Sequence, residues 1–427
     1  MSAKYHFLPI VLWLAFVTFT MTVLYDSNLN PPYKPFPSDG TPLIAEKGGR
    51  LRTEGISGIE VEGRTLEKSG DLFLVPKDIK VGYHDIRVKR GGRWYYIKNG
   101  LYVSPFSPND FCFAFTADIH AGASDESKKK KLMENIEQLS PAFVLFGGDL
   151  TQFSLEEDYR KYFDDVSPVT VPIYEIPGNH ETYSDPHLQR YVNKVGPSNY
   201  SFYFGDILFL GVDALIPLRG WGAFPEDRLK WMKEKLETDA TLKFVVMHIP
   251  IYSHVAREYG YCIQCRKKGY YTMIERGREE AIRIFEESGA KVLSGHWHIY
   301  DKVYDHNGAT YYITSSVVTS FGITNVPKYR WFCIKDGEIV FDRDLKSGDI
   351  VVEKGYLDNN RVAKVVIENR RNFSIPIFVS LNMADLDNCS YVAEAGVIER
   401  VEHDNGCKIW IRLNAQSGRT VFYVRSQ

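Results

Sequence analysis

The chain has 427 residues, 44% hydrophobic and 25% charged, a globular balance that excludes a disordered chain and favours two or three domains. Fifty-two basic against fifty-four acidic side chains leave a net charge of −2, so bulk nucleic-acid binding driven by counterion release is not expected. Six cysteines are too few for a disulfide-built scaffold.

Phe7 to Tyr25 is a nineteen-residue stretch without a charge. As a helix it would span about 28 Å, close to the roughly 30 Å hydrocarbon core of a bilayer. Residues 1–26 therefore read as a membrane anchor or a cleaved signal peptide. The long apolar run and the lack of a small-x-small cleavage site before Asp26 favour the anchor. Lys4 ahead of the run puts the N-terminus in the cytoplasm, and either reading puts the rest of the chain outside it. Pro31, Pro32, Pro35 and Pro37 then make a stiff spacer over residues 27–39. Residues 40–108 alternate short β-like runs with turns: Gly58–Val61, Asp71–Val75, Asp85–Val88 and Trp94–Ile97. Gly91-Gly92 marks a hairpin between the last two. This reads as a small β-sandwich.

From residue 109 to 350, apolar runs alternate with amphipathic helical stretches. The runs are Phe111–Thr116, Phe143–Phe146, Ile173–Ile176, Ile207–Val212, Phe244–Met247 and Lys291–Leu293. The helical stretches include Lys128–Leu139, Glu226–Leu236 and Arg278–Glu287. The pattern predicts an α/β layered domain with strands buried on both faces. Residues 351–427 return to a β pattern, in Val362–Ile367, Ile375–Leu381, Lys408–Leu413 and Thr420–Val424.

Five of the six central runs end in groups able to hold a metal: Asp118-Ile119-His120, Gly147-Gly148-Asp149, Gly178-Asn179-His180-Glu181, His248, and Gly295-His296-Trp297-His298. In α/β sheets the carboxyl ends of strands open into loops where such groups converge. Two aspartates, one carboxamide and five imidazoles suit borderline divalent ions such as Mn, Fe, Co, Ni or Zn. Taken singly, His248 reads as a core histidine and Asp149 as a cap or turn residue, and His296 with His298 would share a strand face. The ordered conjunction of all five clusters is what specifies a site.

In these motifs, D-x-H, G-D, G-N-H-E, a lone H and G-H-x-H, the chain resembles the calcineurin-like metallophosphoesterase superfamily over about residues 110–325. The resemblance implies a four-layer α/β/β/α sandwich, here flanked by small N- and C-terminal all-β domains. It also implies two divalent metal ions. One would be held by Asp118, His120, Asp149 and His298, and the other by Asp149, Asn179, His248 and His296, with Asp149 bridging. A hydroxide shared by the ions would be the nucleophile, since a metal lowers the pKa of water from about 15.7 to about 7. His180 matches the position that protonates the leaving oxygen, or else orients a ligand. In the purple acid phosphatases a tyrosine three residues after the G-D aspartate binds ferric iron. Here that residue is Gln152, so a divalent pair is expected instead.

Between His248 and Arg278, a segment rich in tyrosine and basic residues reads as a binding loop, in which His254 and Arg257 either contact the substrate or are solvated. Cys262 and Cys265 read as a loop disulfide or two thiols, and Cys389 with Cys407 as a disulfide. Cys112 and Cys333 read as buried thiols. Lys128–Lys131 reads as a solvated helix face. Asn199, Asn372 and Asn388 stand in Asn-x-Ser sequons. The function expected is a membrane-anchored, outward-facing phosphoesterase acting on a phosphate monoester or diester, with a nuclease or a metal-free scaffold as the alternatives. No nucleic-acid partner is expected, and the membrane is contacted through the N-terminal segment. Protein partners are not specified.

Overall fold

The computed structural model describes residues 34–123, 126–251, 274–298, 302–314, 326–384, 390–403 and 406–426. The apolar N-terminal stretch, His254, Arg257, Cys262, Cys265, Asn388 and Cys389 lie outside them. Among the described residues no helix is long and apolar enough to cross a membrane.

Strands buried on both faces explain the apolar runs. In Ile207–Gly211, Ile207 and Phe209 face one core while Leu208 and Leu210 face another, so period-two alternation leaves no polar side. The first core lies between two mixed sheets. One orders its strands Ile173–Glu175, Val144–Phe146, Asp110–Thr116, Lys328–Lys335 and Glu338–Lys346, the first three parallel and the last two antiparallel. The other runs Tyr200–Phe204, Ile207–Gly211, Leu242–Val246, Lys291–Ser294, Ala309–Ile313 and Lys302–His306, with its four middle strands parallel. Phenylalanines join the sheets. Phe113 stacks on Phe332 at 4.9 Å and meets Phe209 and Phe244 edge-on at 5.5 and 5.3 Å. Helices Glu126–Gln138 and Glu156–Val166 cover the outside of the first sheet, and Glu226–Leu236 and Arg278–Ser288 the outside of the second. This is the four-layer α/β/β/α sandwich that the resemblance implies.

The flanks are strand-rich, as their sequence pattern predicts. On the N-terminal side a five-stranded and a three-stranded sheet pack together, and Gly91 and Gly92, both at positive φ, turn the hairpin from Gly82–Arg90 into Arg93–Ser104. On the C-terminal side a four-stranded and a three-stranded sheet share one continuous apolar core with the first central sheet. Phe378 packs on Phe106 at 4.5 Å, and Trp331 donates its indole N–H to the Pro376 carbonyl at 2.8 Å.

Two expectations are corrected here. Cys112 and Cys333 are not thiols. They stand opposite each other on antiparallel strands and form a disulfide across 221 positions of sequence. Cys407 is also disulfide-bonded. The Lys128–Lys131 run is not uniformly solvated: Lys129 is fully buried, and its ammonium donates to the carbonyls of His120 at 2.8 Å and Ala123 at 3.2 Å. A helix turns 100° per residue, so four consecutive lysines cannot share one face, and the second faces the core.

One buried carboxyl sets a stability signature. Glu175 ends its strand buried, accepting the Tyr162 hydroxyl at 3.0 Å. Burial pushes it up to about 8, against the opposing pull of its hydrogen bonds and of Lys34. The folded chain thus keeps a proton that an unfolded glutamate releases near 4.5. Stability contributed at low pH is lost as pH rises through this window, at up to about 1.4 kcal/mol per pH unit. Glu175→Gln should flatten the melting temperature between pH 5 and 8 relative to the parent. Parallel melting curves across that range would show that Glu175 is not the group responsible.

Candidate metal centre

The parallel strands of both sheets deliver their carboxyl ends to one place, and the five sequence clusters meet there. Asp118, His120, Asp149 and His296 all adopt left-handed backbone, with φ of 59°, 45°, 52° and 71°. This is unfavourable for residues with a Cβ, by about 1 kcal/mol or more each, and persists only where surrounding bonds dictate it. Those bonds tie the turns to one another. The Asp118 amide donates to the Gly148 carbonyl at 2.9 Å, and the His120 amide to the Asp149 carbonyl at 3.0 Å. The His180 amide donates to Asp149 Oδ1 at 2.9 Å, and the His296 amide to both Asp118 oxygens at 3.1 and 3.0 Å. Two glycines have no alternative here. A Cβ on Gly178 would lie 2.1 Å from Asp149 Oδ1, and one on Gly148 would lie 2.7 Å from His248 Nδ1.

Asp149 Oδ2 is the point of convergence. It lies 3.3 Å from His248 Nε2, 3.6 Å from His120 Nε2 and 3.8 Å from His180 Nε2. On one side, His120 Nε2 and His298 Nε2 approach to 3.1 Å, and His298 Nε2 lies 3.4 Å from Asp118 Oδ1. On the other side, His248 Nε2 lies 3.2 Å from His296 Nδ1 and 3.0 Å from Asn179 Oδ1. The structure thus brings together all seven ligand candidates named from sequence. Asp118, His120, Asp149 and His298 present donor atoms within 4.8 Å of one another, and so do Asp149, His248 and His296. The composition and spacing of both sets fit divalent cations, with Asp149 common to the two.

The electrostatics agree with that fit. Burial alone would raise the Asp149 carboxyl, but the neighbouring His248 and His180 charges hold it well below its usual range. Burial likewise lowers His248, and pairing with Asp149 wins, leaving it at about 9. Burial first, and neighbouring imidazoles next, drive His120 and His296 well below the ordinary histidine range against the pull of Asp149. They are therefore neutral, the form that donates a lone pair to a metal. His298 is raised because its hydrogen bond to Asp118 and the nearby carboxylate charges outweigh burial. Asp149 and His248 would hold a cation in place of the proton that pairs them.

Outer contacts fix each ring and amide. The His248 Nδ1–H donates to the Gly147 carbonyl at 2.7 Å, which aims Nε2 inward. Asn179 donates its Nδ2 to the Tyr183 hydroxyl at 2.8 Å, which turns Oδ1 to the centre. His180 Nδ1 donates to the Gln152 carbonyl at 2.7 Å, leaving Nε2 on the Asp149 side. Sequence reading gives no supporting role at the site to Tyr183, Glu181 or Lys129. Tyr183 lies about one helical turn beyond Asn179, a signal that could have found it. Glu181 accepts from the amides of Thr151 and Gly178, a role no local pattern announces. His254 and Arg257, expected to touch substrate, lie outside the described residues.

A two-sheet α/β sandwich carrying an imidazole–carboxylate cluster at its strand ends defines the class of this protein. Residues 112–300 match the model of the calcineurin-like phosphoesterase family, and the chain carries a calcineurin-like phosphoesterase domain. It is 28% identical over 117 residues to a probable glycerophosphodiester phosphodiesterase of Arcobacter nitrofigilis, a match covering 26% of this chain and 43% of the relative. It is 34% identical over 93 residues to a probable cyclic nucleotide phosphodiesterase of Colwellia psychrerythraea, covering 18% and 35%. The chain thus spans less than half the length of these curated relatives. A purple acid phosphatase from yellow lupin (Lupinus luteus) seeds aligns over 75% of this chain and 64% of its own, at 12% identity and a TM-score of 0.45.

Proposed function

We propose that this protein is a dinuclear metal-dependent phosphoesterase that hydrolyses a phosphate monoester or diester outside the cytoplasm. The observation that carries the reading is Asp149 Oδ2, set within 3.8 Å of three imidazole nitrogens and shared by both candidate ligand sets. The partial relatives bear the names of phosphodiesterases, which favours the diester. Divalent ions held there would supply a nucleophile from water at neutral pH and neutralise the phosphoryl oxygens.

The remaining steps belong to the chain. Asp118, His120, Asp149 and His298 hold one position, and Asp149, Asn179, His248 and His296 the other. Tyr183 and the Gly147 carbonyl keep Asn179 and His248 in register. With Nδ1–H committed to Gln152, His180 carries the transferable proton on Nε2 and gives it to the leaving oxygen. The disulfide between Cys112 and Cys333, and the absence of free cysteines among the described residues, support an oxidising compartment. The apolar stretch Phe7–Tyr25 supports anchoring to a membrane with the catalytic domain outside.

The test is hydrolysis of chromogenic monoesters and diesters by the full-length chain supplied with Mn, Fe, Co, Ni or Zn. A chain that neither retains metal nor cleaves any ester would end the proposal. In the active enzyme, His180→Ala should cost about 10²–10⁴ in turnover, more for esters with poor leaving groups. An equal loss across leaving groups would remove its acid role.

A further inference from the structure

Around His180 the protein exposes apolar side chains that its folding does not require. Phe153 is 50% exposed, and Tyr183 and Leu218 are each 38% exposed. One such residue on a surface is ordinary, but three on loops tied around a single histidine are not. The ties are explicit. The Ser184 hydroxyl donates to the Phe153 carbonyl, and Arg190 Nη1 donates to the carbonyls of Ser154 at 2.8 Å and Ser184 at 3.2 Å. The Leu218 amide donates to Thr182 Oγ1 at 2.8 Å. Leu218 is unfavourable twice over, since it is exposed and sits at a φ of 61°, where glycine or asparagine costs less.

Tyr183 and Phe153 are tied to His180, and Leu218 to the same turn through Thr182. The Tyr183 ring lies 4.4 Å from the His180 ring, between centroids, and Phe153 directly follows Gln152, whose carbonyl holds His180 Nδ1. In hydrolysis the water oxygen bonds to phosphorus and sheds a proton to solvent, the P–O bond to the alcohol breaks, and the His180 proton goes to the departing oxygen, His180 regaining a proton from solvent. The alcohol then leaves beside His180, where a chain of several carbons would meet these exposed side chains.

We propose that Phe153, Tyr183 and Leu218 form a subsite that seats a hydrophobic alcohol moiety of the phosphoester substrate. This rests on the function proposed above and narrows its substrate class.

The test uses mono- and di-n-alkyl phosphates from butyl to octyl, below micelle formation, with the Mn-loaded full-length chain. The leaving alcohols have nearly the same pKa along the series, so rate differences report seating of the chain. The expected result is a rise in kcat/KM of roughly tenfold from butyl to octyl, carried mainly by KM. Phe153→Ser and Leu218→Asn, the latter suited to the left-handed backbone, should each flatten that rise. Metal content and melting temperature are measured on both variants to show that the centre and fold persist. Octyl esters cleaved no better than butyl esters, or a rise that survives both substitutions, would overturn the subsite alone. Failure to cleave any ester, alkyl or chromogenic, would overturn the enzymatic function and the subsite with it.

Discussion

Asp149→Asn is expected to empty both metal positions at once and to lower phosphoesterase activity by at least about 10³. The replacement is nearly isosteric, so the effect comes from charge. Asp149 is the one carboxylate common to both ligand sets, and Oδ1 also takes the His180 amide at 2.9 Å. An amide in its place would remove the negative charge that two cations sharing this carboxylate would need. It also leaves His248 without the partner that holds it at about 9. A ligand on one side alone should behave differently: His298→Ala should retain one ion in the set of Asp149, Asn179, His248 and His296. Metal analysis after dialysis, alongside kcat/KM, separates the two variants. If Asp149→Asn keeps as much metal as His298→Ala, Asp149 does not bridge.

The site was more legible in the sequence than the fold around it, for a physical reason. Asp118, Asp149, Asn179, His248 and His296 each follow a short buried strand within a few positions, so local pattern finds both the strand and its cargo. Their convergence follows from a rule about strand ends and needs no knowledge of register. The sheets themselves need pairings between distant segments. Lys328–Lys335 lies beside Asp110–Thr116 in the first sheet, and nothing local in either segment announces that partnership. The disulfide between Cys112 and Cys333 escapes sequence reading for the same reason, because it joins those two strands. Lys129 looks solvated in sequence because a lysine run reads as one surface, whereas its helix buries that one position. Tyr183 and Glu181 act on the ligands through hydrogen bonds whose partners only the folded chain identifies.

Glu181→Ala is expected to destabilise the protein by roughly 3–6 kcal/mol, whether or not metal is bound. The side chain is fully buried between the two turns that carry Asp149 and Asn179. Its Oε1 accepts the Thr151 amide and hydroxyl, both at 2.8 Å, and its Oε2 accepts the Gly178 amide at 2.7 Å. Removing the carboxyl strands three buried donors, at about 1–3 kcal/mol each, and opens a void that the glycine turns cannot fill. Glu181→Gln tests the same clamp without the void. A glutamine satisfies one turn with its oxygen but presents N–H donors to the other, so an intermediate loss of about 1–3 kcal/mol is expected. Denaturant unfolding in excess chelator isolates this contribution, because metal binding then stabilises neither parent nor variant. A Glu181→Ala protein within about 1 kcal/mol of the parent in chelator would mean that the turns hold themselves. With the clamp acting as the structure indicates, the loss persists without metal. The residual Glu181→Gln enzyme should also bind metal more weakly, because the Asp149 and Asn179 turns no longer share an anchor.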